Sequence, residues 1–260
     1  MLKLSHVSKR FGGLAVLDDV SFEVPAGSVF GLIGPNGAGK TTVFNLVTGL
    51  LTPSGGDIAL QGRTLLGTAP DRITRLGLAR TFQNIRIFKE LSLLDNVIVG
   101  LHAHLRYGVP GWLFALPSFR ADERRAREEA FELLASVGLA AQASERADNL
   151  SYGDQRKLEL ARALATRPKL LLLDEPVAGM NASEKTELMA QIVLIARRGI
   201  TIFMIEHDMR FVMTLCNSIA VLNFGRLIAQ GTPQQIKNDP LVIEAYLGRE
   251  DDATQPQPAA

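Results

Sequence analysis

The run GPNGAGKTT contains the residue types that phosphate binding requires, at the spacing that it requires. It fits the pattern G-x-x-x-x-G-K-[ST], in which glycines let backbone N–H groups curl around phosphate oxygens. Lys40 brings a positive charge to the β- and γ-phosphates, and Thr41 offers its hydroxyl to Mg²⁺. The residues of the run are Gly34, Pro35, Asn36, Gly37, Ala38, Gly39, Lys40, Thr41 and Thr42. The run predicts a nucleoside triphosphate site. The alternative is a glycine-rich turn with an exposed lysine.

Two predicted elements position this loop. The apolar run 29–33 is typical of the strand before it, and 41–50 is typical of the helix after it. The N-terminus of that helix carries a partial positive charge that favours a bound anion. Because strand, loop and helix follow one another in this order, phosphate binding is favoured over the simple turn.

A second strand ends in two carboxylates, in the run LLLLDEP at 170–176. Asp174 stands where a Mg²⁺-associated carboxylate is needed beside a phosphate loop, and Glu175 can polarise the attacking water. Alone this signal is weak, because helix starts often carry acids. Together with the phosphate loop it becomes strong, and it predicts hydrolysis of the bound triphosphate.

Two further polar residues follow predicted strands. His207 comes after the strand 200–205 and could orient water and contact the γ-phosphate. Gln83 ends the predicted strand 78–83 and could ligate Mg²⁺ or water. A lone histidine is more often structural or solvated, and an isolated glutamine carries no signal. Only their positions after core strands favour a functional interpretation.

The run LSYGDQRKLELARAL indicates a helix that begins near Ser151. Ser151 and Asp154 fit a capping pattern, and the apolar positions Leu158, Leu160, Ala161 and Leu164 predict a buried face. A plain capped helix is the alternative interpretation. However, Ser151 and Gly153 at a helix N-terminus also make a second anion site. With one phosphate loop per chain, this second site would serve a nucleotide on another copy.

Composition narrows the class of protein. The net charge is +1 with no basic block, so no nucleic-acid partner is expected. The single cysteine, Cys216, excludes an intrachain disulfide. Mean hydropathy is +0.12. Short apolar runs account for this value, and all fall below the roughly 18 residues that span a bilayer. Alternating strands and helices predict a mainly parallel α/β sheet, and 91–139 reads as helical.

Taken together, these motifs resemble those of ABC transporter ATPase subunits, over nearly the whole chain. They are a Walker A loop (GPNGAGKT), a Q-loop glutamine (Gln83), a signature motif (LSYGDQ), a Walker B strand (LLLLDE), a D-loop (AGMN) and a switch histidine (His207). Phe11 resembles the aromatic residue on which adenine stacks in this family, with simple packing as the alternative. Other segments, such as TFQNIRIFKELSLLDNV and IEHDM, are similar to those of branched-chain amino acid importers.

The resemblance implies an α/β P-loop NTPase core with a mainly parallel sheet, an antiparallel β subdomain and an inserted helical subdomain. It implies one ABC ATPase domain over 1–250. The core would take 1–90 and 165–250, the helical subdomain 91–164, and the polar stretch 251–260 would be a disordered tail. The implied catalytic residues are Glu175, His207 and Gln83. The implied metal ligands are Thr41, Gln83 and Asp174.

The resemblance also implies ATP and Mg²⁺ as cofactors and a membrane permease as partner. Two ATPase subunits, identical or paralogous, would sandwich two ATPs head to tail, with a solute-binding protein as an indirect partner. The expected location is the cytoplasmic face of the inner membrane, as a peripheral subunit. Two alternatives stay open: transport of another solute, such as urea, lipid or lipopolysaccharide, and a soluble non-transport ABC ATPase.

Three residues depart from the family pattern. Tyr152 and Asp154 replace a glycine and the glutamine of the usual signature LSGGQ, and Asn181 replaces the usual aspartate of the D-loop. A tyrosine limits backbone approach to a phosphate, so slow turnover is expected. A capping Asp154 would point back toward its own helix end. Separately, the aromatic segment 107–119 predicts either part of the permease docking surface or a local hydrophobic plug.

Overall fold

The computed structural model describes residues 1–102 and 117–247, with no account of the side chains of 117–120 and 247. The aromatic segment 107–119 therefore lies outside the residues whose side chains are described. The chain divides into two compact units. The first unit holds Met1–Ile73 and the described residues from Ala196 onward, and the second unit holds Thr74–Ile195.

Two sheets form the first unit. Their strands are β1 (Leu2–Phe11), β2 (Leu14–Val24), β3 (Val29–Ile33), β4 (Gly55–Leu60), β5 (Arg63–Thr64), β8 (Thr201–Ile205), β9 (Ser218–Asn223) and β10 (Arg226–Gly231). One sheet is antiparallel, in the order β2–β1–β4–β5. In the other sheet, β3 pairs in parallel with both β8 and β9, and β10 adds antiparallel to β9. The central strands are fully buried because they are apolar at nearly every position.

Aromatic packing joins the two sheets of the first unit. Phe22 of β2 stacks on Phe30 of β3 with ring centroids 5.7 Å apart. Phe203 of β8 lies edge-on to both rings, and Phe44 packs against it at 4.9 Å. The helices of this unit are α1 (Lys40–Val47), α2 (Pro70–Arg75), α7 (Met209–Leu215), α8 (Pro233–Lys237) and α9 (Pro240–Leu247).

The second unit combines helices with two parallel strands, β6 (Leu78–Arg80) and β7 (Leu170–Asp174). Its helices are α3 (Leu93–Leu101), α4 (Pro117–Ser136), α5 (Tyr152–Ala165) and α6 (Ala182–Arg197), the last of which continues two residues past the end of the unit at Ile195. Short 3₁₀ turns occupy 140–142 and 147–149. In the described parts of both units, no helix combines the length and apolar character that crossing a membrane needs.

The predicted strands at 29–33, 170–174 and 218–223 are confirmed residue for residue. The strand predicted over 78–83 is too long, because it ends at Arg80. Beyond Arg80 the backbone of Phe82 and Gln83 bonds to side chains of α5 instead of to a strand. The helix predicted over 41–50 ends at Val47, before Gly49 turns the chain at φ 71°.

Candidate nucleotide-binding and hydrolysis site

The phosphate loop joins β3 to α1 in the first unit. Gly39 is the residue before α1, its φ is 101°, and no side chain caps the helix start. A Cβ at Gly39 would lie 2.6 Å from Leu17, and one at Gly34 would lie 2.1 Å from the Leu222 carbonyl oxygen. Both positions therefore require glycine. The uncapped N–H groups of the helix start are the feature that anion binding needs.

Lys40 is held on the loop itself. Its Nζ donates to the carbonyl oxygens of Gly34 at 2.6 Å and Pro35 at 2.9 Å. The side chain is almost fully buried, and a turn bond from Ala38 N to Pro35 O closes the loop around it. The ammonium group is thus fixed against the backbone of the predicted phosphate loop. Asn36 and Gly37 are exposed at the loop tip, as is Thr41 at the start of α1, whereas Thr42 is half-buried.

The carboxyl end of β7 carries the predicted acidic pair in the second unit. Asp174 is buried and its Oδ2 accepts from Arg80 Nη2 at 2.6 Å. Glu175 follows with φ 47°, a left-handed conformation that costs about 1–3 kcal/mol in a non-glycine residue. Such strain persists where surrounding structure enforces it, and it is concentrated at functional sites.

Gln83 and Glu175 meet in the second unit. Gln83 Nε2 donates to Glu175 Oε2 at 2.8 Å. Gln83 follows β6 by three residues and Glu175 follows β7 directly, so the parallel pairing of these strands brings the two side chains together. A half-exposed carboxylate at a strand end is chemically able to accept a proton from water, and the amide donor beside it fixes its position.

His207 lies in the first unit, after β8. Its imidazole is 63% exposed, and its Nδ1 is 3.8 Å from Oε2 of the fully buried Glu206. The same Glu206 oxygen accepts from the backbone N–H groups of His207 at 2.9 Å and Asp208 at 3.3 Å. Asp208 in turn caps α7 by accepting from Phe211 N. The buried glutamate thus fixes the backbone that carries the exposed histidine.

The signature segment forms the start of α5, as the capping pattern predicts. Ser151 Oγ accepts from Asp154 N at 3.2 Å and donates to Asp154 Oδ2 at 3.0 Å. Asp154 therefore does point back toward its own helix end. Gly153 is buried against the carboxylate of Glu184, and a Cβ there would lie 2.6 Å from Glu184 Oε1, so a side chain at 153 would displace that carboxylate.

Phe11 ends β1 and is 46% exposed, with Lys9 Nζ 5.0 Å from its ring centroid. An exposed ring at a strand end can stack on a base, as the sequence predicts. Among the described residues, no group of three or more histidine, cysteine or acidic side chains is placed to hold a metal by itself. Mg²⁺ bound through a hydroxyl, a carboxylate and phosphate oxygens needs no such group.

Sequence reasoning missed a buried ion pair in α5. Arg156 and Glu159 lie 3.2 Å apart, with 4% and 2% of their side chains exposed. Burial raises the pKa of Glu159, although N–H donors from Phe82 and Arg86 and the charge of Arg156 act in the opposite direction. The only sequence signal is the i, i+3 spacing of the two charges, which is equally typical of an exposed helix face.

The fold and these motifs define a P-loop ATPase, and comparison with known proteins gives its family. The ABC transporter family profile matches residues 17–178. A second profile, described as that of the branched-chain amino acid ATP-binding cassette transporter, matches 226–252. The chain belongs to the ABC transporter family, as one of its ATPases.

Several relatives match over almost their whole length. The chain is 46% identical to the high-affinity branched-chain amino acid transport ATP-binding protein BraF of Pseudomonas aeruginosa, over 95% of this chain and 98% of that protein. Identity to LivG of Escherichia coli, a protein of the same description, is 45% with the same coverage. The lipopolysaccharide export system ATP-binding protein LptB of Acidithiobacillus ferridurans is 35% identical, over 95% and 97%.

Solved structures agree with the fold. Two structures of an ATP-binding cassette of an ABC transporter, one in its ADP conformation, align with TM-scores of 0.83 and 0.82. Identities are 30% and 29%, and each alignment covers 95% of this chain and 98% of that one. The predicted fold class and family are confirmed.

Proposed function

We propose that this chain is the ATP-hydrolysing subunit of an importer that powers uptake of branched-chain amino acids through a membrane permease. The similarity to BraF and LivG supports the solute, since identity to these proteins exceeds that to the lipopolysaccharide export protein by about ten percentage points. The observation that carries hydrolysis is the 2.8 Å hydrogen bond between Gln83 and Glu175. The subunit would lie at the cytoplasmic face of the inner membrane.

Each site residue has a proposed role toward ATP. Lys40 and the loop N–H groups bind phosphates, and Phe11 stacks on adenine. Glu175 takes the proton of the attacking water, with Gln83 and His207 orienting it. Phosphoryl transfer depends mainly on such positioning and on charge neutralisation.

The donor set fits Mg²⁺. Thr41 presents an exposed hydroxyl, Asp174 and Gln83 present side-chain oxygens, and hard cations of this size prefer oxygen ligands. When bound, Mg²⁺ supplies charge that neutralises the phosphates. The buried guanidinium of Arg80 already compensates the charge of Asp174 within the second unit.

The signature residues Ser151 and Gly153 are proposed to serve the ATP of a second ATPase subunit, identical or paralogous, in a head-to-tail dimer. Ser151 is exposed, and its hydroxyl bonds to Asp154 of the same helix turn. Contact with a phosphate therefore requires the Ser151 hydroxyl to exchange partners.

We also propose that residues 1–250 form a single ABC ATPase domain, with 91–164 as its helical subdomain.

A cleft of about 510 Å³ in the second unit is the proposed permease docking site. Phe82 and Phe88 line it, and each ring carries a guanidinium: Arg86 lies 4.2 Å from the Phe82 centroid and Arg162 5.5 Å from that of Phe88. An apolar cleft with a cationic rim suits a short permease helix that is apolar with acidic ends. The cleft lies next to Gln83, so docking would adjoin the hydrolytic residues.

Reconstitution tests the proposal. The chain, its permease pair and a second ATPase subunit are assembled in vesicles, with a solute-binding protein and radiolabelled leucine, isoleucine or valine. ATP-dependent accumulation of these amino acids is expected. Uptake of urea or export of lipopolysaccharide in their place would select another solute. ATPase activity that responds to nucleic acid and not to a permease would select the non-transport alternative.

A further inference from the structure

Tyr152, which stands where the usual signature motif has glycine, contacts one residue of its own helix and one residue of the D-loop. Its hydroxyl accepts a hydrogen bond from Arg156 Nη2 at 3.0 Å. Its ring covers Gly179 of the D-loop, where an added Cβ would lie 3.2 Å from Tyr152 Cε1. The hydroxyl and the ring of one side chain thus face different partners. A glycine at 152 could reach neither.

Arg156 extends the first of these contacts to the Q-loop, defined here as 82–86. Its Nη1 donates to Phe82 O at 2.6 Å, and its Nη2 also donates to Gln83 O. From the same helix, Glu159 Oε1 accepts from the N–H groups of Phe82 at 3.2 Å and Arg86 at 3.4 Å. The buried, rigid guanidinium of Arg156 thus binds backbone carbonyl oxygens of the Q-loop, and the buried carboxylate of Glu159 binds its backbone N–H groups.

The second contact leads to the D-loop, AGMN at 178–181, and to the start of α6. Asn181 Oδ1 accepts from Glu184 N at 3.0 Å, while Glu184 Oε2 accepts from Asn181 N at 2.9 Å. The Glu184 carboxylate in turn packs on Gly153. Lys157 adds a bridge by bonding Asp154 at 3.1 Å and Glu187 at 2.9 Å. The first two turns of α5 and of α6 are therefore joined at two points, Gly153 to Glu184 and Lys157 to Glu187.

We propose that Tyr152 and Arg156 are positioning residues that link the Q-loop to the D-loop within one chain. A shift of the Gln83 carbonyl moves the guanidinium of Arg156. Tyr152 passes that shift to Gly179 through its hydroxyl and ring. Gly179 lies four residues beyond Glu175, so the link makes the positions of the Q-loop and of the proposed hydrolytic residue interdependent. The effect of this link on ATP hydrolysis rests on the proposed function. The link between the Q-loop and the D-loop itself rests only on the contacts described above.

Hydrogen–deuterium exchange of the full-length chain without nucleotide tests the structural part. Tyr152→Phe keeps the ring and removes only the hydroxyl, whereas Tyr152→Gly restores the usual signature residue. We expect Tyr152→Gly to speed exchange in both 81–88 and 177–183, and Tyr152→Phe to speed it mainly in 81–88. Phe131→Leu, which changes an exposed aromatic of the same unit, should alter neither segment. Unchanged exchange in 177–183 of Tyr152→Gly would overturn the link.

Steady-state ATP hydrolysis tests the catalytic consequence. We expect Tyr152→Phe and Arg156→Lys each to lower kcat about three- to tenfold, with KM for ATP within about twofold, as for lost transition-state positioning. The double variant should be no worse than the poorer single one, because both break one connection. Additive losses, or wild-type kcat in Tyr152→Phe, would overturn this role. Absence of hydrolysis in the unaltered complex would instead count against the proposed function and leave the exchange result standing.

Discussion

Arg80 Nη2 donates to Asp174 Oδ2 at 2.6 Å, and each side chain is 7% exposed. A buried carboxylate at the end of β7 is thus charge-compensated by the strand beside it, β6. Removing one member of such a pair leaves the other charge buried without compensation, which is far more costly than the loss of an exposed pair.

We therefore expect Arg80→Met to lower the free energy of unfolding by ~3–5 kcal/mol. The matched control is Arg226→Met. Arg226 lies 2.6 Å from Asp18, but these side chains are 72% and 48% exposed, so the loss should stay below ~1 kcal/mol. Urea unfolding of both variants measures the difference. Equal losses would show that burial of the Arg80 pair has no energetic consequence.

The presence of Asn181 in place of the usual D-loop aspartate should leave the free energy of unfolding nearly unchanged. Asn181 Oδ1 caps α6 by accepting from Glu184 N at 3.0 Å, and aspartate caps equally well. Asn181→Asp should stay within ~0.5 kcal/mol of the unaltered chain, and Asn181→Ala should lose ~1 kcal/mol. Thermal and urea unfolding check both values. A large loss with aspartate would mean that the amide nitrogen of Asn181 has a role that the capping contacts do not explain.

Burial raises the pKa of the Cys216 thiol to about 12, from an ordinary value of 9.0. The folded chain therefore binds this proton more tightly than the unfolded chain. The protonated Cys216 thiol therefore makes its full contribution to the free energy of unfolding below pH 9. That contribution is lost as pH rises toward 12, at up to ~1.4 kcal/mol per pH unit. At pH 8 a thiol reagent should react with Cys216 only on unfolding. Rapid stoichiometric labelling of the folded chain would contradict this.

The alternating elements could be predicted from the sequence because buried strands carry unbroken apolar runs. The runs at 29–33 and 170–174 identify β3 and β7 with correct bounds. The end of β6 could not be predicted, since it depends on Arg156 and Glu159, which are distant in sequence. Long-range side-chain bonds to backbone leave no periodic signal. The strand β10 and the last two helices were also not predicted.

At the site, the phosphate loop was predictable because its backbone geometry dictates glycine at fixed spacing. The sequence places Gln83 and Glu175 each after a strand but does not predict their contact, because the parallel pairing of β6 with β7 that brings them together leaves no local pattern. Tyr152 was interpreted as a steric obstacle to phosphate. Its actual contacts with Arg156 and Gly179 depend on the fold of the whole second unit, which no local pattern encodes.

Lys40 and Ser151 are expected to act on nucleotides of opposite subunits. Lys40→Ala should abolish ATP binding to the isolated chain, because the ammonium held on the phosphate loop is lost. Ser151→Arg should leave that binding nearly intact and block ATP-driven dimerisation. Nucleotide titration and sedimentation measure the two effects, with Ser144→Arg, at another exposed serine of the second unit, as control. Equal loss of monomer affinity in the Lys40 and Ser151 variants would contradict the cross-subunit arrangement.

Glu175→Gln tests the central claim most directly, because it keeps the shape of the side chain and removes the carboxylate that we propose accepts the proton. The measurement is ATP hydrolysis by the reconstituted complex, alongside ATP binding and dimerisation. We predict retained ATP binding, hydrolysis reduced by about 10²-fold or more, and a dimer that stays closed on ATP. Hydrolysis close to that of the unaltered complex would remove Glu175 from its proposed role and contradict this account of the site.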